Sequence, residues 1–264
     1  MKNNGFISLV GAGPGDADLM TVKAVRLLKE ADVVVYDRLV SAEILDLIPA
    51  GVSRVAVGKE VGKHCVPQDQ INETIVNLAK AGRRVVRLKG GDPYMFGRGG
   101  EEVQALKQHS IPFEVVPGIT AASGCSAYSG IPLTHRGMSR SVRFMTGHFK
   151  NDEPLEIDWQ RVADPDCTLV IYMGVGNLSL ITQSLIDAGL EPSTPAAAIE
   201  NGTTSSQQRV LSQLDQLHSA VTQSSLKAPV MIIIGKVVAL ADELDWFQQT
   251  LEETTYASNS AALS

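Results

Sequence analysis

Five short, β-branched apolar runs divide the first half of the chain: Phe6 to Val10, Val33 to Tyr36, Val55 to Val57, Val85 to Leu88 and Phe113 to Val116. They are largely apolar throughout rather than alternating, as strands buried on both faces are. Helical periodicity fills the intervals. Leu19, Val22, Val25 and Leu28 share one helix face behind Asp18 as the cap, and Ile71, Ile75, Leu78, then Val103 and Leu106, repeat the theme. This alternation predicts βα units, hence an α/β domain with a mostly parallel five-stranded sheet and helices on both faces.

The second half predicts a second α/β domain. Strands are expected at Val142 to Thr146, Thr168 to Met173, Ala196 to Ile199, Gln208 to Leu211 and Val230 to Ile234, with helices at Leu178 to Ala188 and Leu214 to Gln223. The two runs flanking Asn201-Gly202 are close enough for a hairpin, so this sheet is expected to be mixed. Gly130, Pro132 and Gly137 make Ser129 to Ser139 the connecting segment. The expected domains are 1–133 and 139–250, and the Thr, Ser, Ala and Asn-rich residues 251–264 are expected to form a disordered tail.

No stretch approaches the roughly 18 uncharged apolar residues of a membrane helix, and Met1 to Asn4 leads into a strand-like segment without a signal-peptide core. The expectation is a cytoplasmic protein with no membrane partner. Cys65, Cys125 and Cys167 include no Cys-x-x-Cys pair, so three reduced thiols and no metal site are expected.

Charge is unevenly distributed. Up to Lys150 there are 19 Lys and Arg against 14 Asp and Glu, net +5; beyond it there are 4 against 15, net −11. Such asymmetry is met by differently solvated faces, or by a first part that handles an anionic ligand. Nucleic acid is disfavoured, because aromatic residues are only 5% of the chain and no basic run is interleaved with them.

Ligands of open α/β sheets bind beyond the carboxyl ends of strands, so the loops after the predicted strands are the informative ones. The first is Gly11-Ala12-Gly13-Pro14-Gly15-Asp16, in which the third glycine of a dinucleotide fingerprint arrives one residue early and Asp16 takes its place. The second holds Tyr36-Asp37-Arg38, where Asp37 fits a ribose acceptor, a general base or a partner for Arg38. Gly58-Lys59-Glu60 fails as a P-loop. The fourth, Lys89-Gly90-Gly91-Asp92-Pro93 followed by Phe96-Gly97-Arg98-Gly99-Gly100-Glu101-Glu102, has five glycines within eleven residues. Close backbone contact with a ligand is the preferred cause. Arg98 and Glu101, at a helix N-terminus, either bind and deprotonate a ligand or pair with each other. Val116 to Ser123 opens a helix with small residues, and His135-Arg136 lies in the connecting segment. No Ser/His/Asp order or His-x-x-x-His supports acyl transfer or metal hydrolysis.

These segments as a set, together with Pro132-Leu133-Thr134-His135-Arg136, Tyr172-Met173-Gly174 and Glu200-Asn201-Gly202-Thr203, closely resemble the tetrapyrrole methylases, over about Gly5 to Leu244. Within that family the match is to the uroporphyrinogen-III C-methyltransferases. The resemblance implies S-adenosyl-L-methionine (SAM) as methyl donor, bound in a cleft between two α/β domains, no metal, and a homodimer. It implies methylation of uroporphyrinogen III, a small-molecule octacarboxylate, at C2 and C7 to give precorrin-2 for sirohaem and cobalamin-type biosynthesis. On matching positions the SAM site would comprise Pro14, Gly90, Gly91, Asp92, Met95, Thr120, Ala121, Met173 and Gly202. Asp37 and Lys59 would be an acid/base pair, and Arg98, Glu101 and Arg136 would contact or activate the tetrapyrrole.

Glu60, Met95 and Cys65 depart from the residues usual in the family. The motifs begin at Gly5, so the dehydrogenase and chelatase activities of longer fused members are expected to be absent. Three other readings stay open: a methylase of the same fold acting on a later corrin precursor, RNA or protein; a nicotinamide oxidoreductase using Gly11 to Gly15 and Asp37; and a non-catalytic tetrapyrrole carrier.

Overall fold

A computed structural model describes residues 5–58, 66–148 and 157–247. The chain divides into two compact units, Met1–Ala121 and Ala122–Ser264.

In the first unit, strands β1 (Phe6–Gly11), β2 (Val33–Tyr36), β3 (Ser53–Ala56), β4 (Arg84–Lys89) and β5 (Phe113–Val116) alternate with helices α1 (Val22–Glu30), α2 (Ala42–Asp46), α3 (Gln68–Lys80) and α4 (Gly99–Gln108). The strands form one parallel sheet in the order β3-β2-β4-β1-β5. Alternate side chains feed two cores. Val34, Val86, Leu88 and Val10 pack with Ala24 and Leu28 of α1 and Ile44 of α2. Val33, Val35, Val85 and Ile7 pack with Ile71 and Ile75 of α3 and Leu106 of α4. Each fully buried aliphatic side chain stabilises the fold by about 1.5–3 kcal/mol. Burial on both faces holds for β1, β2 and β4; β3 and β5, expected to be buried likewise, are edge strands and largely exposed or half-buried.

One helix differs from expectation. The cap of α1 is Thr21, whose Oγ1 accepts a hydrogen bond from Ala24 N at 3.1 Å. Asp18 instead lies in a short turn, Ala17–Leu19, that Asp16 caps. With the start shifted, Val22 is 88% exposed and the buried positions are Ala24 and Leu28.

The second unit contains α5 (Ala121–Tyr128, which begins at the boundary), β6 (Ser141–Thr146), α6 (Trp159–Val162), β7 (Cys167–Tyr172), α7 (Leu178–Asp187), β8 (Pro195–Glu200), β9 (Gln208–Gln213), α8 (Leu217–Gln223) and β10 (Val230–Ile234). Its sheet has the order β6-β7-β10-β8-β9 and is mixed: β6 and β7 are parallel and the other pairs antiparallel. β8 and β9 form the hairpin expected around Asn201-Gly202. Leu169, Ile171, Ala196, Ala198, Ile232 and Ile234 pack on Ile181 and Leu185 of α7 and Leu217 and Val221 of α8.

The division precedes the Ser129 to Ser139 segment because hydrogen bonds tie α5 to the second unit. Ala122 N donates to Tyr172 Oη at 3.2 Å, Gln207 Nε2 donates to the Tyr128 carbonyl at 2.8 Å, and Trp246 Nε1 donates to the Ala127 carbonyl at 2.8 Å. The expected tail, 251–264, and Cys65 lie outside the described residues. Among the described residues no helix is long and apolar enough to cross a membrane.

Candidate active site

β1 and β4 are neighbours, yet β1 leads through α1 to β2 on one face of the sheet while β4 leads through α4 to β5 on the other. Adjacent strands whose connections part in this way open a crevice at their carboxyl ends, the general ligand position in such sheets. Two backbone hydrogen bonds join the loops there: Gly91 N donates to the Gly13 carbonyl at 2.7 Å and Gly13 N to the Gly91 carbonyl at 3.2 Å. Pro14 comes next on one side of this bridge, and Gly90 and Asp92 flank it on the other.

Asp92 shapes the crevice through hydrogen bonds. Its Oδ2 accepts from Gly118 N at 3.1 Å and its Oδ1 from Tyr94 N at 2.8 Å, so one carboxylate fixes the loop after β5 and the turn toward Met95. Thr120 and Ala121 come next, and Gly91 lies within 4.0 Å of both, measured from where its Cβ would be. Gly90, Gly91, Asp92, Thr120 and Ala121 are therefore brought together.

For three of the five glycines in that run, Gly90, Gly97 and Gly99, and for Gly118 in the next loop, the chain itself supplies a cause beside the ligand contact expected. A Cβ on Gly118 would lie 2.4 Å from the Gly91 carbonyl oxygen, one on Gly99 2.4 Å from the Pro93 carbonyl oxygen, and one on Gly90 2.9 Å from Leu39 Cβ. Gly97 is closed by the carbonyls of Asp92 and Pro93 in the same way. Gly91 additionally has φ +68°, a left-handed conformation that side chains resist.

Asp37, directly after β2, is 28% exposed and anchored. Its Oδ1 accepts from Arg87 Nη2 at 2.5 Å and its Oδ2 from Lys89 Nζ at 3.4 Å. Both cations are buried strand residues that also reach Glu102, in the first turn of α4. The three residues Arg87, Lys89 and Glu102 were not singled out from the sequence, although Arg87 inside the apolar run Val85 to Leu88 and Lys89 directly after it were the signal: buried charges require partners.

Arg98 and Glu101 pair with each other on the surface: Arg98 Nε donates to Glu101 Oε1 at 2.8 Å and Nη2 to Oε2 at 2.6 Å. This two-pronged bond raises the Arg98 pKa further and keeps the guanidinium charged. Arg98 precedes α4 in a left-handed conformation, φ 57°, and Phe96 shares it at φ 53°. Non-glycine residues held this way cost about 1–3 kcal/mol each and concentrate at functional sites.

In the second unit Met173, after β7, is also left-handed at φ 55° and 53% exposed. Gly147 and Gly174, after the parallel strands β6 and β7, approach so closely that a Cβ on the first would be 2.5 Å from Cα of the second. Gly202 faces Cys125 of α5, whose Sγ would lie 2.3 Å from an added Cβ. Burial pushes the Cys125 thiol up to about 12, so it stays protonated. Arg136 is exposed in a turn closed by backbone hydrogen bonds between His135 and Ser139, and its carbonyl contacts His135 Nδ1 at 3.0 Å. Lys59 lies outside the described residues.

The family model described as Tetrapyrrole (Corrin/Porphyrin) Methylases matches residues 7–218. The chain belongs to the tetrapyrrole methylases. Among relatives of this tetrapyrrole methylase, the siroheme synthase of Stutzerimonas stutzeri (strain A1501) is 53% identical over 247 residues, 94% of this chain and 53% of the relative. That of Pseudomonas fluorescens (strain SBW25) is 54% identical over 244 residues, 92% of this chain and 52% of the relative. The chain spans about half the length of these curated relatives. Among solved tetrapyrrole methylase structures, a uroporphyrin-III C-methyl transferase from Thermus thermophilus complexed with S-adenyl homocysteine superposes with a TM-score of 0.76 at 40% identity, covering 89% of this chain and 93% of that one. A cobalt precorrin-4 methyltransferase of cobalamin biosynthesis gives 0.79 at 26% identity, covering 88% and 95%.

Proposed function

We propose that this chain is a SAM-dependent C-methyltransferase that converts uroporphyrinogen III to precorrin-2 by methylation at C2 and C7. The observation that carries the reading is the Gly13–Gly91 bridge at the β1/β4 crevice, which joins the two loops that motif matching assigns to the methyl donor. The likeness to the Thermus thermophilus transferase, whose structure holds S-adenyl homocysteine, supports it.

The residues fit such a donor. Gly90, Gly91, Thr120 and Ala121 offer backbone rather than charge, and the Asp92 carboxylate is engaged by two N–H groups, so what these loops present to a ligand is chiefly backbone. SAM supplies an already activated sulfonium methyl, so an electron-rich pyrrole carbon needs no metal or covalent protein nucleophile. The chain's task is to hold the two reactants at near-attack distance, which is worth several kcal/mol. Attack leaves positive charge on the pyrrole system; Asp37, with Lys59 as its acid/base partner, stabilises that charge and accepts the proton that leaves. Arg98, held charged by Glu101, and Arg136 bind the carboxylates of the tetrapyrrole, about 1.5–3 kcal/mol for each charge-assisted bond. Pro14, Met95, Met173 and Gly202 belong to the donor set that the family motifs imply. A homodimer in the cytoplasm, serving sirohaem or cobalamin-type biosynthesis, belongs to the same reading.

Incubation with uroporphyrinogen III and methyl-labelled SAM is expected to place two labels per tetrapyrrole. No label in the tetrapyrrole would sink the proposal. A second reading, methylation of a later corrin precursor, draws support from the TM-score of 0.79 with the cobalt precorrin-4 enzyme, and predicts label only with a precorrin acceptor.

A further inference from the structure

Glu102 is the only member of its ion cluster with no exposure at all: its side chain is 0% exposed, against 1% for Arg87, 4% for Lys89 and 28% for Asp37. The donors fall on one of its oxygens. Oε1 accepts from Arg87 Nε at 3.2 Å, Arg87 Nη2 at 3.0 Å, Lys89 Nζ at 3.0 Å and Gln68 Nε2 at 3.1 Å. Oε2 is buried and accepts nothing from the described residues. An arrangement selected for stability would share those donors between both oxygens or replace the ions with apolar side chains, since buried ion clusters stabilise little over well-packed hydrophobic groups.

The arrangement makes sense when followed outward. Arg87 and Lys89 are two residues apart on β4, so they leave the sheet on the same face, the one covered by α3 and α4. Glu102, from α4, neutralises them from below, and Gln68, the first residue of α3, completes its shell. Both cations then extend to Asp37, one to each oxygen, and Arg87 Nη1 also donates to the carbonyls of Val35 and Leu88 on the strands that carry the cluster. Asp37 N donates to the Leu88 carbonyl at 3.3 Å, so its backbone is fixed as well. The accessible carboxylate thus stands on a mount whose other charged members are buried.

We propose that Lys89 and Glu102 are positioning residues for Asp37: Glu102 fixes the two cations, and the cations hold both oxygens of Asp37 in one orientation at the carboxyl edge of the sheet. This rests on the reading of Asp37 as the proton acceptor. It assigns work to two residues that contact no substrate.

A double-mutant cycle tests it, with single-turnover transfer of labelled methyl from SAM to uroporphyrinogen III as the rate assay and calorimetric binding of S-adenosylhomocysteine as the control. Lys89→Met and Glu102→Gln are each expected to lower the rate by roughly 10- to 100-fold, the penalty of a misplaced reacting group, with S-adenosylhomocysteine affinity within about twofold of the parent. In an Asp37→Asn background, itself slow, either change is expected to alter the rate by less than about twofold, because there is no longer a carboxylate to position. Lys89→Arg is expected to restore most of the loss. Equal rate losses in both backgrounds would overturn the positioning role and leave Asp37's own role standing. An Asp37→Asn variant as fast as the parent would instead remove Asp37 from the reaction, and the proposal with it. If Lys89→Met does not fold, Glu102→Gln, which preserves side-chain shape, carries the same cycle.

Discussion

Gly118→Ala tests whether the glycines of the crevice serve the chain or a ligand. The added methyl would lie 2.4 Å from the Gly91 carbonyl oxygen and 2.8 Å from Cα and C of Gly11. All three neighbours are backbone, so no side chain can swing aside, and a normal contact of about 3.5 Å requires the loops after β1, β4 and β5 to part by roughly 1 Å. Overpacking of this kind costs about 1–3 kcal/mol. For a chain of this size that corresponds to a fall in Tm of about 3–10 °C. Parting the loops also strains the Gly13–Gly91 bridge and the bond from Gly118 N to Asp92, so S-adenosylhomocysteine affinity is expected to fall at least about tenfold, equivalent to 1.4 kcal/mol. Gly100→Ala is the control. Gly100 is exposed near the start of α4 with nothing within 4 Å of its added Cβ, and the change is expected to stabilise by about 0.4–1 kcal/mol without altering affinity. Scanning calorimetry and titration calorimetry on both variants give the result. Unchanged Tm and affinity in Gly118→Ala, or lost affinity in Gly100→Ala, would refute the assignment of these glycines to chain packing.

Arg98→Ala and Glu101→Ala are expected to reduce turnover at least about tenfold while leaving S-adenosylhomocysteine affinity unchanged, and, since an exposed pair contributes little, to shift stability by less than about 1 kcal/mol; parallel loss of affinity in both would place them against the donor. Asp92→Ala leaves the Gly118 and Tyr94 N–H groups without their acceptor and should cost about 1–3 kcal/mol, read in a urea melt. With its thiol pushed up to about 12, Cys125 carries about 10⁻⁴ of its population as thiolate at pH 8, so peptide mapping after iodoacetamide treatment of the native protein should find it unmodified. Labelling at the rate of a simple thiol would contradict its burial.

The architecture was legible because double-sided burial leaves a direct mark: Val33 to Tyr36 begins and ends as a strand where the apolar run does. α1 was misplaced by one feature, Asp18, which has the residue type of a cap but is claimed by the preceding turn, so Thr21 takes that role. The glycine run was seen but its cause was not, since whether a missing side chain makes room for a ligand or for Leu39 and the Pro93 carbonyl depends on what returns from elsewhere in the chain. Arg87, Lys89 and Glu102 illustrate the same limit. Two cations in a buried strand announce that a partner exists, but only the packing of α4 against β4 shows that the partner is Glu102 and that Asp37 completes the set.

The strand order has a consequence for the emergence of this chain during synthesis. β2 and β3 are neighbours and adjacent in sequence, but β1 lies between β4 and β5, both made much later. From the moment it appears until Arg84–Lys89 has been added, Phe6–Gly11 has neither of its lateral partners, and its apolar surface and strand edges must be shielded from other nascent chains. The Gly13–Gly91 bridge closes when the loop after β4 arrives, and Thr120 and Ala121 follow only with the loop after β5, so the ligand-binding loops of the first unit are completed late in its synthesis.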